Sequence, residues 1–222
     1  MAKQAFEGFA VFDVDGTIAP GSVSERAFWH MQQTGVFNIA DADLQRLDEL
    51  RSEVDLNAYH HTRDNLYDRA IRGVSVSAVR RIAEQVADAV MSEAYPEILD
   101  EINDYKDRGF ALGMISGSPD MFVQKLKPLG FHVATGTRYF HNRHIYHEAR
   151  PPKSRAEEKH DFALGMARRL GLRGVTAAFG NSMSDLSMLE IAEHPVAVNP
   201  DLGLREIAKS DPDRWRIIDC VE

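Results

Sequence analysis

Cysteine is nearly absent: the chain has one, Cys220, in 222 residues. An internal disulfide and a cysteine-rich zinc centre are thereby excluded, and no base is ordered beside Cys220 in the sequence to make its thiol a nucleophile. Positive charge is also in short supply, with 26 lysines and arginines against 34 acidic residues and a formal net charge of -8. Nucleic acid is held by broad basic surfaces, so it is not an expected partner. No apolar run approaches the roughly 18 residues of a membrane span, and residues 1–10 lack the apolar centre of a signal peptide. The expectation is a cytoplasmic protein with no membrane partner. Two nucleotide loops are missing as well, Gly-x-x-x-x-Gly-Lys-Ser/Thr and Gly-x-Gly-x-x-Gly, which removes the P-loop and dinucleotide readings.

What is present is material for a packed core, since 44% of residues are hydrophobic and 27% charged, a balance that argues against disorder. Residues 9–12 form an apolar run ended by Asp13 and Gly16, the pattern of a buried strand entering a turn. From there to Val90 the spacing is helical. Ser24 is a candidate cap for a helix carrying Ala27, Phe28 and Met31, Asp41 for one carrying Leu44, Leu47 and Leu50, and Ser75 for one carrying Val79, Ile82, Val86 and Val90. Alternation then resumes. A helix opened by Pro96 precedes a strand over 110–115, and Ser118 with Pro119 reads as the cap and first residue of a helix reaching about Lys127. A hairpin turning at Asn142 and Arg143, a helix over 159–170 and a strand over 175–179 follow, then a helix from Ser184 or Asp185. A strand over 196–198 and a last helix opened by Asn199 and Pro200 complete the pattern. The fold class is α/β: a Rossmann-like core of parallel strands with helices on both faces, over 1–21 and 92–222, plus a helical cap over 22–91 inserted after the first strand.

Ligands of such sheets bind at the C-terminal edge of the strands. Three chemically loaded turns follow strands there: Asp13-Val14-Asp15-Gly16-Thr17, Ser116-Gly117-Ser118 and Gly180-Asn181-Ser182-Met183-Ser184-Asp185. Carboxylates gathered on one edge repel unless a cation sits among them, and hard oxygen donors suit Mg²⁺. Hydroxyls and N–H groups at Ser116, Gly117 and Ser118 suit phosphate. A metal and a phosphate together point to phosphoryl transfer.

The ordered set of these motifs, with a lysine between the second and third, resembles the haloacid dehalogenase superfamily of phosphatases, in its phosphoserine phosphatase-like branch, over nearly the whole chain. The resemblance implies that Asp13 is the nucleophile that forms an aspartyl-phosphate and that Asp15 is the general acid and base. It implies Thr17, Ser116, Gly117, Ser118 and a lysine as phosphate-binding groups, and Asp13, Asp15, Asn181 and Asp185 as ligands of Mg²⁺. Lys159 and Lys153 compete for the lysine role; the helical position of Lys159 favours it. The family pattern has an aspartate where Asn181 stands, so one negative charge is missing and weaker metal binding is expected.

The expected partner is a small phosphorylated metabolite, selected by the cap. Arg63, Arg69 and Arg72 are the cap's candidates for attracting an anion to an acidic protein. Phosphoserine itself is disfavoured, because no glutamate follows the first motif until Glu25. A phosphotransferase using the same aspartyl-phosphate, and a decayed phosphate-binding module marked by Asn181, are the competing readings. His141, His144 and His147 invite a zinc site, but hairpin geometry favours three surface residues. Phe28, Trp29 and Met31 read as cap core. His60 and His61, beside Tyr59 and Arg63, sit on a cap helix as substrate contacts or as solvated surface.

Overall fold

The computed structural model describes residues 5–53, 56–149 and 155–221. Its centre is β1 (Phe9–Phe12), whose four residues are all buried, as a strand covered on both faces must be. β2 (Ala111–Pro119) pairs in parallel on one side of β1 and β6 (Val175–Gly180) on the other. With β3 (Val133–Thr137), β7 (Ala192–Val198) and β8 (Arg216–Ile218), the described residues make a six-stranded parallel sheet in the order β3-β2-β1-β6-β7-β8. The chain moves outward in one direction from β1 through β2 to β3, and in the other from β6 to β8. The order therefore reverses between β1 and β6, the switch point at which sheets of this kind bind their ligands.

Among the described residues, four helices lie between β1 and α5 (Pro96–Asp107): α1 (Val23–Gln33), α2 (Asp41–Ser52), α3 (Leu56–Ala70) and α4 (Val76–Ser92). α4 buries the expected stripe of Val79, Ile82, Val86 and Val90. Phe28 and Met31 of α1 are fully buried and belong to one apolar cluster with Phe12, Val14 and Ile18, so the helices share a core with the sheet. The two connectors are tied together, Tyr95 donating its N–H to the Ile18 carbonyl at 2.9 Å and Arg26 pairing with Glu93 at 2.6 Å. A hairpin of β4 (Tyr139–His141) and β5 (Tyr146–Ala149) reaches the far side of these helices. There Gly73 donates to Tyr146 at 2.8 Å, Tyr146 to Val74 at 3.0 Å and Val76 to His144 at 2.8 Å, all between backbones.

Several expected boundaries move. Ser118 does not cap a helix: β2 runs through Pro119, and the helix that follows, α6 (Asp120–Val123), passes at once into a 3-10 turn over Gln124–Leu129. The Ser118 hydroxyl is engaged elsewhere, and Asp120 instead accepts from Gly136 N at 3.0 Å and Gln124 Nε2 at 3.1 Å. The cap of α1 is Ser22 rather than Ser24, with its hydroxyl accepting from Glu25 N at 3.4 Å. α2 is preceded by Ala40, and Asp41 is its first residue. α7 (Arg155–Leu170) starts four residues before Lys159. After β6 the chain makes a 3-10 turn over Met183–Asp185 before α8 (Leu186–Glu190). The last helix, α9 (Leu202–Ser210), is capped by Asp201, because Asn199 turns with a positive φ of 41° and cannot begin it.

The bend at the end of β2 depends on Gly136 of β3. A side chain there would press on the Ser118 carbonyl and come within 2.9 Å of the Asp120 Cα, both backbone atoms with little room to yield. Gly136→Ala is expected to destabilise the protein by about 1–3 kcal/mol, as overpacking does. Urea unfolding measures it, and an unchanged midpoint would mean the bend can move freely.

Candidate active site

The three loaded turns do meet at the switch point. Asp13, first residue after β1, is 3% exposed and donates its N–H to the Phe179 carbonyl at 2.8 Å, which fixes it against β6. Its carboxylate accepts from Lys159 Nζ at 2.6 Å through Oδ1 and from Thr17 Oγ1 at 3.2 Å through Oδ2. Lys159, in the second turn of α7, is buried and donates also to Asp185 Oδ1. One ammonium thus joins the β1 turn, the β6 turn and α7. Lys153, its competitor, lies outside the described residues.

Asp185 is fully buried, and its second oxygen accepts from Asn181 N at 2.9 Å, Ser182 N at 3.0 Å and Ser182 Oγ at 3.3 Å. This closes the loop on itself. Gly180 permits it, since a Cβ there would stand 2.5 Å from the Asp185 Cβ. The Asn181 amide packs against Gly16 of the first turn, a position where φ is +76° and a side chain would collide with it.

Asp15 faces the other way. Its Oδ1 accepts from Val23 N at 2.6 Å, and its Oδ2 from Ser116 Oγ at 3.0 Å and Ser118 Oγ at 2.7 Å. Both oxygens are hydrogen-bonded to β2 and α1. Ser118 also donates its N–H to Ser116 Oγ at 2.9 Å and accepts from Ser24 N at 2.9 Å. The first turn of α1 therefore gives one backbone N–H to Asp15 and the next to Ser118. Gly117, between the two serines, is exposed, and its carbonyl is held by Thr137 Oγ1 at 2.6 Å.

Burial and the Asp185 charge push the Asp13 carboxyl up to about 7, against the downward pull of Lys159. Burial alone would lower Lys159, but Asp13 and Asp185 more than offset it and hold the ammonium above its ordinary range. Two carboxylates face this one cation, a deficit of one positive charge, and the Asp15 carboxylate adds its charge from the neighbouring turn. Among the described residues no three acidic or histidine side chains converge as a ready ligand set. The donors nonetheless fit a hard divalent cation: carboxylate and amide oxygens, with the deficit such an ion would cancel.

Of the three cap arginines, only Arg63 reaches this region. It is 4% exposed and donates from Nη2 to Ser24 Oγ at 3.0 Å, while Nη1 is buried without a hydrogen-bond partner 3.8 Å from Glu25 Oε2. Arg69 is exposed and pairs with Asp43 at 3.5 Å; Arg72 is exposed. Glu25, set aside on linear spacing, stands in the first turn of α1 and accepts from Tyr59 Oη at 2.7 Å. Ser22-Val23-Ser24-Glu25 has the capping-box spacing, a signal that would have marked its place at the turn. Phe28 and Met31 are core, and Trp29 donates to Tyr59 Oη at 3.3 Å. His141, His144 and His147 are exposed on the hairpin, and His60 is partly buried and His61 exposed on α3. Burial and the nearby Glu97 carboxylate push the Cys220 thiol up to about 11, the reverse of an activated nucleophile.

Solved structures with this architecture come from several proteins. A protein of unknown function from Bordetella pertussis Tohama I is 18% identical with a TM-score of 0.71, covering 97% of this chain and 99% of that one. The HAD family hydrolase t0658 from Salmonella enterica subsp. enterica serovar Typhi is 21% identical with a TM-score of 0.64, covering 90% of this chain and 65% of that one. A phosphoserine phosphatase captured as a phospho-aspartyl intermediate analogue is 17% identical with a TM-score of 0.65, covering 97% and 95%. At these identities the likeness concerns the fold. No curated protein sequence matches the chain. The family model for haloacid dehalogenase-like hydrolases matches residues 10–190, which span β1, the helices above it and all three loaded turns, and the chain belongs to that family.

Proposed function

We propose that the protein is a magnesium-dependent phosphatase that hydrolyses a small phosphate monoester through an aspartyl-phosphate on Asp13. The observation that carries this reading is the buried ammonium of Lys159 held between Asp13 and Asp185, with Asp15 bonded to the two serines of the neighbouring turn. An Asp13 oxygen attacks phosphorus as the ester P–O bond breaks, and Asp15 gives its proton to the departing alkoxide. Water then attacks the phosphorus, Asp15 takes the proton, and the bond to Asp13 breaks to release phosphate. Lys159, Ser116 and the N–H groups of Gly117 and Ser118 hold phosphate oxygens in this scheme. Asp13, Asn181 and Asp185 would hold Mg²⁺, which when bound supplies charge neutralisation of the phosphate. The helices over 22–91 act as a cap that excludes water and selects the ester, and the setting is cytoplasmic. No described helix is long and apolar enough to cross a membrane.

One observation favours a narrower substrate. Glu25 and Arg63 stand 3.8 Å apart beside Ser24, offering an acidic and a basic group to the leaving alcohol, which supports an amino-acid phosphate such as phosphoserine. Nothing comparable favours the phosphotransferase or the decayed binding module.

Asp13→Asn is expected to leave less than a few per cent of the release of phosphate from p-nitrophenyl phosphate, with the fold intact; greater residual turnover excludes Asp13 as nucleophile. The same variant reports on charge. Because the folded carboxyl of Asp13 is raised to about 7 from an ordinary 3.8, its contribution to stability is present below pH 3.8 and lost as pH rises through 7. In protein freed of metal by chelation, Asp13→Asn should therefore gain on the wild type as pH rises from about 4 to 7, read as the difference in melting temperature. A constant difference rejects the raised carboxyl.

Asn181→Asp adds a negative charge beside the expected cation and should lower the half-saturating magnesium concentration. A titration of activity at fixed pH measures this, and no change would mean that residue 181 does not face the metal. Arg63→Ala should raise KM for the preferred ester by about ten-fold, and much less for p-nitrophenyl phosphate, whose body makes fewer cap contacts. Arg69→Ala and Arg72→Ala should leave the substrate ranking as it was. Equal effects at all three positions would defeat the assignment of Arg63.

A further inference from the structure

The turn between β7 and α9 touches the active-site loop from behind, through a residue that none of the motifs contains. Asp201 caps α9 by accepting from Leu204 N at 2.8 Å through Oδ1. A helix cap needs one oxygen. The other, Oδ2, reaches back and accepts from Met183 N at 3.0 Å, and the Asp201 N–H donates to the Asn181 carbonyl at 2.8 Å. Residue 201 therefore grips both ends of the 181–183 segment. We propose that Asp201 is a positioning residue for the reaction, holding this loop so that Asp185 and Lys159 face Asp13; the inference rests on the phosphatase reading above.

The case is mechanical and electrostatic. The loop is short, a 3-10 turn of three residues whose inner side is closed by Asp185 on Asn181 N and Ser182 N. Its outer side is held by Asp201. Asp201 in turn is anchored to the sheet, because Asn199 donates its N–H to the Ile218 carbonyl at 2.9 Å and its amide oxygen accepts from Cys220 N at 2.7 Å. The first turn of α9 also packs on the loop: a Cβ at Gly203 would stand 3.0 Å from Met183 Cγ. A carboxylate accepting two backbone N–H groups makes charge-assisted bonds, stronger than those of a neutral cap. Small displacements of a reacting group are costly to rate, so a loop held on one side only would slow turnover more than it would weaken binding.

Asp201→Asn separates the two roles. Asparagine caps a helix as well as aspartate does, but its single amide oxygen cannot serve Leu204 and Met183 in the same way. In the purified full-length variant, α9 should stay protected and the melting temperature should stay near that of the wild type. The Met183 amide should exchange hydrogen faster. With p-nitrophenyl phosphate and magnesium, kcat should fall by at least about three-fold, the scale of one lost hydrogen bond, while KM stays within about two-fold. Asp201→Ala, which removes both bonds, should lower kcat further and expose Leu204 to exchange as well. Wild-type protection at Met183 in Asp201→Asn, or a kcat equal to that of the wild type, overturns the proposal. If the wild-type protein releases no phosphate, the phosphatase reading fails, while unchanged exchange at Met183 still refutes the grip on the loop.

Discussion

A buried ammonium between two carboxylates is the constraint around which the sheet edge is arranged. Lys159 is nearly fully buried, and removing a lone cation from water costs several kcal/mol unless close partners compensate. Asp13 and Asp185 compensate it, and it compensates them, so the β1 turn and the β6 turn are both joined to α7 through one charge. The arrangement is not neutral. Burial first, and the Asp185 charge second, leave the Asp13 carboxyl raised despite the Lys159 ammonium. The remaining oxygen of Asp185 is satisfied by main-chain donors and not by a second lysine or arginine, so its hydrogen bonds bring no further positive charge to the site.

The second constraint joins the helices above the sheet to the same edge. α1 presents the N–H groups of Val23 and Ser24 to Asp15 and Ser118, residues 8 and 94 positions away in sequence. Arg63 of α3 continues the path by holding the Ser24 hydroxyl. The entry angle of α1 is thereby tied to the side chain that would carry protons. The hairpin β4–β5 grips the other end of the helices through three backbone hydrogen bonds, and the apolar cluster runs unbroken between the two.

How much of this was readable in the sequence follows from which signals are local. The 9–12 run ending at Asp13 is unambiguous because a strand buried on both faces has no polar residue until its end. The helical stripe of α4 is equally plain, since its period alone determines the buried face. Ser118 misleads because a serine before a proline has the same local appearance whether it caps a helix or ends a strand. Only the arrival of Asp15 and Ser24, distant in sequence, decides between them. Glu25 was discounted by counting residues from Asp13, whereas the chain folds back so that the first turn of α1 lies over the site. The direction of Asp15 was likewise invisible: three donors from two other elements settle it, and none is adjacent in sequence. β8 gave no pattern of its own, being three residues that become a strand only by pairing with β7.

Asn181 shows why a change of charge at the centre of such a loop leaves the scaffold intact. The bonds that shape the loop at this position use its main chain: the N–H donates to Asp185 and the carbonyl accepts from Asp201. The side chain packs against the glycine of the first turn, a contact that aspartate and asparagine make with the same shape. The backbone therefore imposes no choice between amide and acid. What the choice does alter is the sum of charge around Lys159: an acid here would add a negative group to a site where Asp13 already resists ionisation. The amide spares the protein a further repulsion beside Asp13 and Asp185, and in the magnesium site proposed above it would give up part of the attraction for the cation in exchange.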